Sequence, residues 1–179
     1  HLDGARVLNA ATALGVEVAS LTAPFDSASL CFSKGLGAPV GSIIVGTRAF
    51  IDGAHRYRKM LGGGMRQAGI LAAAASWALE HNVERLAEDH ANAARLAAKI
   101  AEVPGLSVPV PVETNIVIVD LAPPLAPASR FIERLRAAGV ACLPLGPRRL
   151  RLVTHLDVSA AACDEAAVVF ARVAAEGSA

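Results

Sequence analysis

The 179 residues are 54% hydrophobic and 18% charged with a formal net charge of +1, which supplies a sizeable core, excludes intrinsic disorder and gives no electrostatic basis for nucleic-acid binding. Aromatics at 4% offer no stacking platform for single-stranded nucleic acid, and no apolar run is long or clean enough to span a bilayer. Cys31, Cys142 and Cys163 stand singly with no CxxC pair, a pattern of free thiols in a reducing compartment, and with no signal-peptide pattern the sequence reads as a soluble, cytoplasmic protein. It opens directly on HLDGARVLNAATALG, without a methionine or a leading strand, and is expected to be the second half of a longer chain.

Val7, Ala10, Ala11 and Leu14 fall at helical spacing, which predicts a helix over 6–14 that stops at Gly15. Short strands are expected at 26–32 and 40–45. A helix face runs through Phe50, Ile51, Ala54, Tyr57 and Leu61 and is broken by GGGMRQAG. Residues 70–79 then form a nearly all-apolar helix, expected to be buried. Residues 83–100 are amphipathic, with Val83, Leu86, Ala87, His90, Ala93, Leu96, Ala97 and Ile100 on one side, and end before Pro104-Gly105. Beyond that punctuation TNIVIVDL reads as a strand, 129–138 as a helix ended by Gly139, VACLPLG and LRLVTH as strands, and Ser159 as the cap of a last helix reaching about Ala175. This β-α-β-β-α unit is small enough for a second domain, so the expected division is 1–104 and 105–179.

The chemistry is expected around Lys34, which follows an apolar run and then meets glycines and a proline in CFSKGLGAPVGS. Asp3 lies 31 positions earlier, about the length of a strand–helix–strand crossover of ~30 residues. If each ends one of two neighbouring parallel strands, an acid and a lysine share the carboxyl edge where open α/β sheets bind ligands. Arg6 would sit in the first turn of the following helix, near that carboxylate. A lysine in such a place suits Schiff-base chemistry with a carbonyl, and flanking glycines admit a bulky ring. An aspartate suits the nitrogen of a pyridine ring. Taken singly, each feature is more often structural: a lysine in a glycine loop, an Asp–Arg ion pair, a solvated charged loop at Lys59 and Arg66.

The wording in order adds more than the spacing. HLDGAR, DSASLCFSKGLGAPVGSIIVG, RKMLGGGMRQAGILAAAASWALEH, RLAEDHANAARLA and RLVTHLDVS together resemble the low-specificity L-threonine aldolases, of the β-eliminating-lyase group of fold-type-I pyridoxal 5'-phosphate enzymes. The resemblance runs from His1 to about Ser159. It implies an α/β fold: the C-terminal portion of the fold-type-I transferase, with part of the large parallel-sheet domain and a small α/β C-terminal domain. It implies Lys34 as the catalytic, cofactor-bearing lysine, Asp3 on the pyridine nitrogen, and Ser33 beside the cofactor phosphate. Arg6 and Arg151 would hold the carboxylate of a small amino-acid substrate, while Lys59 and Arg66 would reach the cofactor site of a neighbouring subunit in a dimer or tetramer.

The expected reaction is cleavage of L-threonine or L-allo-threonine to glycine and acetaldehyde. Other fold-type-I reactions on small amino acids stand beside it, as does a non-catalytic truncated remnant. The family's front half, which carries further histidines and the phosphate loop, has no counterpart here, so no base for the β-hydroxyl is named and the chain alone is expected to be inactive. His81 and His90 are nine apart, which is no metal spacing; His90 reads as a packed or capping residue and His155, at a strand end, as structural or near the carboxylate pocket, and no zinc signature, P-loop or dinucleotide fingerprint is present.

Overall fold

Strand β1 (Leu2–Asp3) is short because Gly4 closes it, and a Cβ on Gly4 would stand 2.6 Å from the Ser29 carbonyl oxygen. The computed structural model describes residues 1–176 and pairs β1 in parallel with β2 (Ser27–Cys31), Leu2 opposite Ala28 and Asp3 opposite Ser29. Helices α1 (Val7–Leu14) and α2 (Val18–Thr22) make the crossover. The predicted stop of α1 is real: Gly15 adopts φ 64° and its N–H donates to the Ala11 and Thr12 carbonyls.

Strand β3 (Ser42–Gly46) runs antiparallel to β2 and completes a three-stranded sheet of order β1-β2-β3. Helix α3 (Arg48–Met60) starts at Thr47, whose hydroxyl accepts the Phe50 N–H, and α4 (Gly69–His81) follows the glycine-rich break. The expected burial of α4 is not observed. Only Ala75 and Ala78 are buried, while Ile70 is 82% and Trp77 56% exposed. A helix apolar all round needs neighbours all round, and α4 finds them on one side only.

Helix α5 (Leu86–Ala101) sends Ala93, Leu96, Ala97 and Ile100 into a separate core, shared with an antiparallel sheet and two helices. Ala87, expected on that face, is exposed. The sheet has the order β4-β5-β7-β6, built from β4 (Leu106–Ser107), β5 (Ile116–Leu121), β6 (Leu143–Gly146) and β7 (Arg149–Val153). Sequence reading missed β4, since two residues display no alternation.

Helix α6 (Ala128–Ala137) and α7 (Ala160–Glu176) cover the sheet, with the Phe131 and Phe170 rings 6.1 Å apart. Strand alternation places Val117, Val119, Leu150 and Leu152 in the core and leaves Ile118 and Arg151, paired across the ladder, on the opposite face. Ser159 caps the last helix as read, its hydroxyl accepting the Ala162 N–H at 3.2 Å. The compact units divide between Ala87 and Glu88, because the apolar face of α5 lies in the second core; Pro104 marks the end of that helix.

Candidate active site

Lys34 stands three residues beyond the carboxyl end of β2, and Asp3 is the last residue of β1. The parallel pairing therefore brings the acid and the lysine to one edge of one sheet, as the crossover length suggested. The glycine after Lys34 is dictated by packing. A Cβ on Gly35 would meet Leu86 at 2.8 Å and the Asn9 amide oxygen at 3.1 Å. The turn is closed by the Gly37 N–H donating to the Lys34 carbonyl at 2.8 Å. It is anchored by Asn82, whose amide donates to the buried Leu36 carbonyl at 2.7 Å. The backbone is thus held on both sides while the Lys34 side chain remains exposed.

Two buried polar residues set this turn, Asn9 and Asn82, and the periodicity reading passed over both. The signal was present at Asn9, a polar side chain at an inward position of the mostly apolar run VLNAATAL. Ser33 is exposed beside Lys34, and its hydroxyl lies 3.4 Å from the Cys31 sulfur. Cys31 is only half-buried, whereas Cys142 and Cys163 are buried with free thiols. Burial pushes the Cys142 thiol up to about 11 and raises that of Cys163, so both stay protonated and inert.

Arg6 precedes α1 and lines a narrow cleft together with Cys31, Gly35 and Leu36. The expected Asp3–Arg6 pairing is not formed among the described residues: Asp3 accepts the Ala5 N–H at 3.3 Å, and the Arg6 Nε is buried without a hydrogen-bond partner. The reason is local geometry, since the carboxylate is engaged by the turn that Gly4 opens.

Arg151 lies on the non-core face of β7, and its Nε is likewise buried and unpartnered. Its neighbour Arg149 is spent on Asp120, with two bonds of 2.6 and 2.8 Å. Two guanidinium nitrogens desolvated without acceptors are costly unless something anionic meets them.

Lys59 closes the last turn of α3, and Arg66 lies in the exposed connection to α4; neither forms an ion pair among the described residues. The histidines have local duties. His81 stacks on Trp77 with ring centres 4.5 Å apart, and His155 accepts the Asp157 N–H at 3.4 Å. His90 is partly buried, and desolvation lowers its pKa against the raising influence of Asp89. The described residues contain no cluster of metal-ligating side chains and no helix long and apolar enough to cross a membrane.

The fold defines a class before it defines a family. An L-allo-threonine aldolase, so described, from Listeria monocytogenes superposes with a TM-score of 0.79 over 97% of this chain and 51% of its own, at 20% identity. A PLP-dependent aminotransferase from Streptococcus suis does so with a TM-score of 0.66 over 84% of this chain and 42% of its own, at 18% identity. The scaffold is thus the α/β fold shared by threonine aldolases and aminotransferases. Residues 1–123 match the beta-eliminating lyase family, and the chain belongs to that family.

It is 48% identical over 159 residues to the low specificity L-threonine aldolase of Escherichia coli (strain K12), covering 89% of this chain and 46% of that one. It is 44% identical over 161 residues to low-specificity L-threonine aldolase 1 of Arabidopsis thaliana, covering 89% and 45%. The chain spans about half the length of the curated relatives it matches.

Proposed function

We propose that this chain forms the lysine-bearing part of a pyridoxal-phosphate-dependent carbon–carbon lyase that cleaves L-threonine and L-allo-threonine to glycine and acetaldehyde. The observation that carries the reading is the placing of Asp3 and Lys34 at the ends of two paired parallel strands, in a chain 48% identical to a threonine aldolase. The residues present fit an anionic aromatic cofactor and a carboxylate substrate. The Lys34 turn is open on its side-chain face, and the Arg6 and Arg151 Nε donors are desolvated and lack acceptors.

In this reading Lys34 would hold the cofactor covalently, Asp3 would pair with its ring nitrogen, and Ser33 would meet its phosphate. Arg6 and Arg151 would grip the substrate carboxylate, a task suited to the planar guanidinium fork. Lys59 and Arg66 would reach the cofactor site of a neighbouring copy in a dimer or tetramer. The bound cofactor supplies an electron sink for the pair released when Cα–Cβ breaks.

The arginines fix the rotation about the Cα bonds, so that the bond to be broken, not a neighbouring one, is aligned for cleavage. Lys34, freed from the cofactor once the substrate is bound, would be placed to return a proton to Cα as glycine forms. The base that removes the β-hydroxyl proton lies outside these assignments. A cytoplasmic setting accompanies the proposal, supported by three cysteines that all carry free thiols.

The test is borohydride reduction of the full-length protein with pyridoxal phosphate, followed by peptide mapping. A covalent adduct on Lys34 is expected, and labelling elsewhere or none overturns the assignment. Incubation with threonine, allo-threonine, serine and alanine then separates aldol cleavage from racemisation, transamination and β-elimination by product.

A further inference from the structure

The carboxyl end of β7 is held by a buried polar clasp that the reaction described above does not use. The β5–β7 ladder ends with Ile116 opposite Val153. One step beyond, the Thr154 N–H donates to the Asn115 carbonyl at 3.0 Å, and the Asn115 amide donates to the Thr154 carbonyl at 2.8 Å. The Thr154 hydroxyl donates to the Asp89 backbone carbonyl in α5 at 2.6 Å. Asn92, also on α5, donates from its side chain to the Val158 carbonyl at 3.0 Å and holds the loop that follows.

Thr154 is 2% exposed and Asn115 1%, beside a core of aliphatic, phenyl and thiol side chains. Burying a hydroxyl and an amide there is unfavourable unless their bonds fix something that apolar side chains would leave loose. What they fix is the last turn-off of the strand that carries Arg151, three residues earlier and on the other face. The Arg151 Nε is itself buried with no acceptor, so that atom does not hold the side chain in place. Its direction is set from the backbone of β7, and that backbone is pinned at both ends: by the Arg149–Asp120 pair at the start and by Thr154 at the finish.

We propose that Thr154, with Asn115, is a positioning residue for Arg151: the clasp locks the end of β7 so that the guanidinium, its Nε desolvated and unpaired, is presented to the carboxylate of the amino-acid substrate. The inference rests on the reading of Arg151 as a carboxylate-binding residue. It concerns how that arginine is aimed, and the clasp residues touch neither substrate nor cofactor.

The test uses the full-length enzyme and glycine as the carboxylate probe, with binding measured by calorimetric titration alongside steady-state kinetics on threonine. Thr154→Val removes the hydroxyl while keeping the branched shape. It is expected to weaken glycine binding and raise KM by about tenfold, with a smaller loss in kcat from the poorer alignment of the bond to be broken. Thr154→Ser, which keeps the hydroxyl, is expected to recover most of the loss.

Asn115→Ala probes the same clasp from β5 and is expected to give the same KM-against-kcat split at about threefold; it serves alone if the valine variant does not fold. In an Arg151→Ala background, Thr154→Val should change glycine affinity by less than about twofold, because a positioning effect has nothing left to position. Unchanged glycine affinity in both clasp variants overturns the proposal, as does an equal loss with and without Arg151. If Arg151→Ala alone leaves glycine binding unchanged, it is the role of Arg151 that fails, and the clasp proposal falls with it for that separate reason.

Discussion

The two compact units solve the burial problem differently. From Glu88 onward the chain builds a continuous core in which Phe131, Phe170, Leu135, Ile100, Val117 and Leu150 are fully buried. In His1–Ala87 the buried apolar side chains are fewer and mostly small, Leu86 and Leu36 being the largest, with Val7 and the alanines at 11, 28, 38, 75 and 78. Meanwhile Ile43, Ile44 and Val45 on β3, Met60 and Leu61 at the end of α3, and Ile70 and Trp77 on α4 stand exposed. The unit with the stronger core carries one candidate site residue, Arg151. The unit with the weaker core carries the rest, held by close backbone approach and buried amides at Gly4, Gly35, Asn9 and Asn82. The proposed chemistry would thus be concentrated in the unit with fewer large buried side chains, as is common for functional surfaces.

The largest expected effect falls on the first unit. In the full-length protein Lys34→Ala should lower threonine cleavage by a factor of about 1,000 or more and abolish the borohydride adduct, with the melting temperature nearly unchanged because the side chain is exposed. Retained cleavage would mean that the lysine has been misread. The 179-residue chain alone is expected to show no cleavage at all; glycine production by it would contradict this reading of the first unit.

Next comes stability, where the contrast reverses. Phe131→Ala should cost about 3–5 kcal/mol in denaturant unfolding, since it empties a fully buried site, whereas Ile44→Ala on half-exposed β3 should cost less than about 1 kcal/mol. Equal costs would erase the distinction between the two cores.

Gly35→Ala probes the other kind of constraint. Its Cβ would have to displace both Leu86 and Asn9, so a several-fold loss of activity is expected with little change in the second unit. Gly4→Ala should be worse, because the obstacle at 2.6 Å is the backbone carbonyl of Ser29 and not a flexible tip. A Gly35→Ala variant indistinguishable from the parent in kcat/KM would show that the turn tolerates a side chain.

The smallest effect is electrostatic and belongs to the second unit. Arg95 grips the Asp164 carboxylate through two bonds of 2.6 Å and Lys99 adds one at 2.8 Å. These hydrogen bonds, Arg95 first, hold the Asp164 carboxyl well below the ordinary carboxylate range. A depressed folded value means that the contribution is complete above the unfolded value of about 4 and is lost as pH falls toward the folded one. Melting curves should therefore place Asp164→Asn slightly below the parent near neutrality and converge with it in acid. The side chains are solvent-screened, so the difference is small; a gap that widened on acidification would reverse the sign.

Much of this was legible in the sequence because it depends on local pattern. Gly15 ends α1 and Ser159 begins α7 through backbone bonds that any helix end needs. The crossover length between Asp3 and Lys34 correctly anticipated one shared sheet edge. The buried polar set was not legible: Asn82, Asn115 and Thr154 look like ordinary polar residues at the ends of elements until their partners, 46, 39 and 65 positions away, are known. Nor was the exposure of α4, since an all-apolar run says that a helix wants cover and not whether these residues supply it.

By itself, then, the sequence determined the elements, the order of the blocks that mark the family, and which side chains are chemically equipped to act. Only the tertiary structure decided that Asp3 engages its own turn instead of Arg6, that two guanidinium nitrogens are buried without acceptors, and that the end of β7 is clasped from α5. The physical reason is range. Helix caps and strand alternation arise from neighbours a few residues apart, whereas desolvation and hydrogen-bond satisfaction are properties of a place in the fold, set by residues that meet only when the chain has closed around them.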